Sequence, residues 1–209
     1  MTEPAFPVTA GHDGRRRCPW AGPSAPRDYV AYHDDEWGRP VHGDAALLER
    51  IVLEGFQSGL SWLTVLRKRA AFREVFVRFD PASVAAYDSA DVDRLLADRR
   101  IIRHRRKIEA AITNARATTA LLEREGVGAL DRLVWSFAEQ GARPAPRQLG
   151  DLPASTAESS ALAAALKSEG FVFIGPTTAY AAMQACGVVN DHLADCEYRD
   201  VPVQPTSGC

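Results

Sequence analysis

The chain has 209 residues, 46% of them apolar and 25% charged, with a formal net charge of −2. That composition excludes a disordered chain, and no apolar run reaches the roughly 18 residues of a membrane span. A uniformly basic nucleic-acid coat is excluded as well, although a local basic patch is not.

Residues 1–16 carry Pro4, Pro7, Gly11 and Gly14 with little periodicity, and a disordered extension is expected there. Residues 17–199 read as one domain, and residues 200–209 as a tail containing Pro202, Pro205 and Gly208. Met1 to Arg17 has no apolar leader stretch, so a reducing, cytoplasmic setting is expected. In that setting the four cysteines are not expected to form disulfides. Cys186, in an apolar run, reads as a core thiol, and Cys209 falls on the tail.

The elements in chain order are helical. Leu47, Leu48, Ile51 and Val52 have helical spacing behind Asp44, a candidate N-cap. Trp62, Leu63, Val65, Leu66, Phe72, Val75, Phe76 and Phe79 continue after Gly59. Asp80-Pro81 opens the next helix, and Ser89 is a candidate cap for the one through Val92, Leu95 and Leu96. Ile108, Ala111, Ile112, Ala115, Leu121 and Leu122 form a long helical face, followed by Leu130, Leu133, Val134 and Phe137. Gly141 to Pro153 reads as a loop. Ser155-Thr156-Ala157-Glu158 matches a capping box before Leu162 and Leu166. Only Phe171-Val172-Phe173-Ile174 resembles a strand, and it is too short to build a sheet. An all-α fold is predicted.

Three features suggest chemistry. His192 and Cys196 are spaced i, i+4, a half-site for zinc on a helical turn. Cys18 lies fifteen residues before His33, which is not a finger spacing, so the residues alone leave the site open. Phe171–Ile174, between Gly170 and Gly175-Pro176-Thr177, has the layout of a helix-hairpin-helix, which aims backbone N–H groups at a DNA phosphate. A plain turn with an apolar plug fits the same residues. Arg99, Arg100, Arg103, His104, Arg105, Arg106 and Lys107 form a basic run with almost no local acid, suited to phosphates or to a solvated helix face.

The densest stretches are Tyr32-His33-Asp34-Asp35-Glu36-Trp37-Gly38 and Leu53-Glu54-Gly55-Phe56-Gln57-Ser58-Gly59-Leu60-Ser61-Trp62. With Arg17-Cys18-Pro19-Trp20, Ile101-Ile102-Arg103-His104-Arg105, Val134-Trp135-Ser136-Phe137, Met183-Gln184-Ala185-Cys186-Gly187 and Asn190-Asp191-His192, they resemble the DNA-3-methyladenine glycosylase I family of the helix-hairpin-helix superfamily. Ser58 and Arg100 depart from the family's usual Ala and Gly.

The resemblance implies a glycosylase fold stapled by a structural zinc on Cys18, His33, His192 and Cys196, tying the N- and C-terminal segments. It implies release of 3-methyladenine from alkylated double-stranded DNA by a monomer, without membrane contact. Glu54 is the implied acid of the base pocket, and Trp20, Tyr29, Tyr32, Trp37 and Trp62 its aromatic walls. A cationic methylated ring suits such walls through stacking and cation–π attraction. Without the resemblance, core packing would explain the aromatics, and a satisfied or exposed acid would explain Glu54. Arg103, Arg105, Gly175 and Thr177 are the implied DNA contacts. Relatives that cleave through a Schiff base carry a Lys after the hairpin Gly; here Pro176, Thr177 and Thr178 follow, so no lyase step is expected. Asn190 stands where the superfamily places its catalytic Asp. A DNA-binding module without activity is the competing reading, and it gives Glu54 no purpose among the aromatics.

Overall fold

The chain is helical, as its periodicity indicates. The computed structural model describes residues 7–138 and 144–201. In chain order the helices are α1 (Arg27–Asp35), α2 (Asp44–Gln57), α3 (Trp62–Leu66), α4 (Arg69–Val75), α5 (Pro81–Ala85), α6 (Ser89–Ala97), α7 (Arg105–Glu125), α8 (Ala129–Trp135), α9 (Ala157–Ser168) and α10 (Pro176–Ala185). The loop predicted over Gly141 to Pro153 is described from residue 144 and holds a 3-10 turn at Leu149–Asp151.

Helix α2 is the axle. Leu47, Leu48, Ile51, Val52, Leu53 and Phe56 are all buried, and so are its polar residues Asp44, Glu49, Arg50 and Glu54. A helix buried all round must be enclosed by others, and α3, α5, α7, α8 and α10 pack against it. Glu49 and Arg50 have specific partners. Arg73 meets Glu49 at 2.8 Å, and Arg50 meets Glu36 at 3.2 Å. Phe56, Phe72, Phe76 and Phe79 fill the core beside it, each fully buried and each contributing about 2–3 kcal/mol of apolar transfer.

Helix starts follow the sequence closely, with instructive differences. Asp80 caps α5 by accepting from Ser83 N at 2.8 Å, and Pro81 occupies the first turn. Asp88, not Ser89, caps α6, and Asp91 returns the bond. Thr156, not Ser155, caps α9, with Ser159 in the place predicted for Glu158. Gly43 precedes α2, so Asp44 is not its N-cap. The Asp44 carboxylate instead accepts from the N–H groups of Gly128, Leu130 and Asp131 at 2.7, 2.9 and 3.2 Å, capping α8.

Two expectations are overturned. The disordered extension over residues 1–16 fails from Thr9 onward: β1 (Thr9–Ala10) pairs antiparallel with β2 (Arg16–Arg17). The hairpin is anchored by Arg17, which is 4% exposed and bonds Asp13 at 2.7 Å and Asp34 at 2.8 Å. Nor is the basic run uncompensated. Arg100 pairs with Asp98 and Glu74, and Arg105 with Asp93, most of these partners being distant enough in sequence to escape a local reading. His104 is the N-cap of α7, and Lys107 is buried.

Candidate active site and metal cluster

Glu54 lies one turn from the end of α2 and is 6% exposed. Asp44 and Glu49 on the same helix have donors, whereas among the described residues none donates to Glu54. Burial pushes its carboxyl up to about 8, only partly opposed by the Arg50 charge one turn away. A carboxyl left without donors in the core is costly, and here it faces a pocket of about 350 Å³.

The pocket brings together every aromatic residue singled out by the sequence. Trp20, Tyr29, Tyr32, Trp37 and Trp62 line it with Glu54. Tyr32 and Trp62 have ring centroids 5.3 Å apart, and Trp20 lies 4.9 Å from Tyr29 and 5.1 Å, edge-on, from Trp37. Trp62 Nε1 is buried with no hydrogen-bond partner among the described residues, which leaves a donor in the wall. The volume falls within the usual ligand-pocket range, at its small end.

Sequence reasoning missed Gln57, Leu149, Leu152, Ala181 and Gln184, which complete the lining. The cleft continues past Ser58, Gly59 and Leu60 to Thr177 and Thr178 in the first turn of α10. Thr177 therefore shares a cleft with Glu54. Leu60 is 42% exposed at this mouth, just after Gly59 with its left-handed φ of 80°. That glycine was the available signal for a projecting loop. Gly175 caps α10 in extended conformation with open space around it. Arg103, just before α7, and Arg105, its first residue, are exposed and are not part of the aromatic lining. Asp191 does not reach the pocket as a free acid: it is buried and bonded by Tyr180 Oη and by Gln184 Nε2, the latter at 2.7 Å.

An N-terminal and a C-terminal segment meet behind the aromatic wall. Cys18, His33, His192 and Cys196 are all buried, and their donor atoms lie within 4.8 Å of one another. Cys196 Sγ is 3.6 Å from His33 Nε2 and 3.5 Å from His192 Nδ1, and Cys18 Sγ is 3.8 Å from His192 Nδ1. Ligand bonds of about 2.0–2.3 Å in a tetrahedron require edges of about 3.3–3.8 Å, so these three separations suit a metal ion that the four residues could hold. The outer nitrogens are fixed too: His33 Nδ1 meets Asp34 at 2.8 Å, and His192 Nε2 meets Trp37 O at 3.0 Å. Such partners select the tautomers that present the inner nitrogens. The Cys196 thiol is held low by hydrogen bonds from Cys18, His192 and His33, while Cys18 is pushed up by its bond to Cys196 and by burial.

A helical fold with a buried acid among aromatic rings, beside a Cys/His cluster, is an arrangement that a base-recognising enzyme can use. The comparisons agree. The methyladenine glycosylase family model matches residues 20–200. A DNA-3-methyladenine glycosylase 1 from Escherichia coli (strain K12) is 49% identical over 183 residues, covering 86% of this chain and 95% of the relative. A crystal structure of 3-methyladenine DNA glycosylase I superposes with a TM-score of 0.80 at 49% identity, covering 87% of this chain and 98% of that one. The Staphylococcus aureus 3-methyladenine DNA glycosylase I gives a TM-score of 0.79 at 31% identity, covering 85% and 94%. The chain belongs to the methyladenine glycosylase family.

Proposed function

We propose that this chain is a DNA repair glycosylase that hydrolyses the N-glycosidic bond of 3-methyladenine in alkylated double-stranded DNA. The observation that carries the reading is Glu54, buried without a donor among the described residues and enclosed by Trp20, Tyr29, Tyr32, Trp37 and Trp62. N3-methylation leaves the purine cationic in DNA, so the bond to the sugar is already weakened. Hydrolysis breaks that bond and its electron pair passes to the ring, which leaves as a neutral base. Water supplies hydroxyl to the sugar carbon and its remaining proton to solvent. The aromatic walls favour the cationic ring over neutral bases, and the ionised Glu54 accepts from the amino edge of the flipped base. Binding of the cation displaces the proton that burial holds on Glu54.

Residues 17–199 form the glycosylase domain, acting as a cytoplasmic monomer. The helix-hairpin-helix formed by α9, Phe171–Gly175 and α10 presents Gly175 and Thr177 to a phosphate, where the open space at Gly175 permits close backbone approach. Arg103 and Arg105 add sequence-independent phosphate contacts; Arg105 exchanges its exposed partner Asp93 for DNA. Leu60, apolar and exposed at the cleft mouth, fills the space left by the flipped base. Pro176, Thr177 and Thr178 hold no amine for a Schiff base, and Asn190 no carboxylate, so the activity is monofunctional. Cys18, His33, His192 and Cys196 would hold a zinc ion as a four-ligand set, and the ion would supply a cross-link between the N- and C-terminal segments rather than a reacting centre. The test is base release from methylated duplex DNA resolved by chromatography. Free 3-methyladenine is the expected product, and folded protein that binds the duplex but releases no base would overturn the reading.

A further inference from the structure

Helix α7 holds both the lip of this cleft and the hairpin before α10 by side chains that the mechanism above does not use. Lys107, in its first turn, is 8% exposed, and its Nζ donates to Phe56 O at 2.9 Å and to Ser58 O. Those carbonyls close the C-terminus of α2, where a cation is favoured by the helix dipole. The segment fixed in this way runs directly from Glu54 into the Ser58–Leu60 lip. Seven residues further on, two turns and about 10 Å along the same face, Asn114 is 3% exposed. Its Oδ1 accepts from Val172 N at 2.8 Å, and its Nδ2 donates to Val172 O at 3.2 Å. A single amide thus satisfies both backbone groups of one hairpin residue.

The next residue, Phe173, has a φ of 58°, a left-handed conformation that a bulky side chain adopts only when its surroundings impose it. Gly55, beside Glu54, lies close enough to the hairpin that an added Cβ would stand 3.8 Å from Phe173 O. Gly55, Lys107, Asn114 and Phe173 line one narrow crevice. The pocket lip and the hairpin are therefore referenced to one rigid helix as well as to each other.

We infer that α7 is a strut that fixes the distance between the base pocket and the phosphate-binding hairpin, with Lys107 and Asn114 as its positioning residues. This rests on the glycosylase reading. A flipped base enters the pocket only if the phosphate anchor and the lip are spaced to match the DNA backbone. The two ends of the strut act on different quantities. Loosening the hairpin weakens engagement of the duplex, and loosening the lip misplaces the base once engaged.

The experiment is steady-state release of 3-methyladenine from methylated duplex by wild type, Asn114→Asp and Lys107→Met, alongside binding of free 3-methyladenine and unmethylated duplex. Asn114→Asp keeps an acceptor for Val172 N but removes the donor to Val172 O. Its KM for the duplex should rise about five-fold or more, with kcat and free-base affinity within about two-fold of wild type. Lys107→Met should lower kcat about five-fold or more while unmethylated-duplex affinity stays within about two-fold. A merely structural role would lower the melting temperature of both variants and leave this split unseen. Wild-type kinetics in both folded variants, or one common change in both, overturns the strut. An inactive wild type would instead count against the glycosylase reading. If neither variant folds, amide exchange of the wild-type protein decides: Val172 N–H should be protected like the core of α7, and free exchange there overturns the clamp.

Discussion

Glu54 joins two properties that pull in opposite directions. Its carboxyl is pushed up to about 8 by burial, so the folded protein keeps a proton that the unfolded chain has released. The sign follows: between the ordinary value of 4.5 and about 8 the native state binds more protons, and stability falls as pH rises through that window. Glu54→Gln should therefore be more stable than wild type, by a margin that grows from about pH 5 to about pH 8 and reaches on the order of 4 kcal/mol. Urea unfolding of both proteins across that range measures it, and a constant difference would refute the burial argument. The same substitution should lower single-turnover excision at least about ten-fold, because a charge-assisted bond becomes a neutral one. For wild type, kcat/KM should climb with pH toward a plateau above about 8, whereas the variant's profile should lack that rise. The sequence placed an acid in an apolar helix. It did not show the protonation state, because burial depends on Trp20, Tyr32 and Trp62 arriving from other elements.

At the scale of elements, local pattern found the helices and misread some of their ends. Caps at Asp88 and Thr156 lie one residue from the predicted positions, since several adjacent polar residues can each accept the same N–H. Asp44 is a different case. Its three bonds reach residues more than eighty positions away, which no window along the chain can encode. Asp44→Ala should cost about 1–2 kcal/mol by uncapping α8, read as a lower melting temperature with excision kinetics unchanged below the transition. A melting temperature equal to wild type would remove Asp44 from that role. Lys107 and Asn114 teach the same lesson. Periodicity showed which face of α7 is buried, but a polar residue on a buried face acquires meaning only from what it meets.

Across the whole molecule, charge and metal set the remaining expectations. Replacing Arg103 or Arg105 with Ala should weaken duplex binding and reduce the slope of log affinity against log salt by about one for each phosphate no longer neutralised. Free-base affinity should hold, and an unreduced slope in both variants would reassign the block to a solvated surface. The full Cys/His cluster was legible only through resemblance. Spacing offered a half-site at His192 and Cys196, and the partners Cys18 and His33 become neighbours only when the domain closes. Metal analysis should return one zinc per chain, and Cys18→Ser or His192→Ala should lower the melting temperature far more than the affinity for 3-methyladenine. Zinc-free protein of full stability would contradict this.

The meeting of Cys18 with His192 spans 174 residues of chain, and that separation has a kinetic meaning. Closing so long a loop is entropically the most expensive contact to form early, so it belongs on the native side of the folding barrier. A bond made after the barrier slows unfolding and leaves refolding nearly untouched. Stripping the metal with a chelator should therefore steepen the loss of native protein with time in denaturant, while stopped-flow refolding proceeds at its metal-loaded rate. The cluster would then act as a latch on an already assembled repair enzyme, setting how long each molecule survives rather than how quickly it is made.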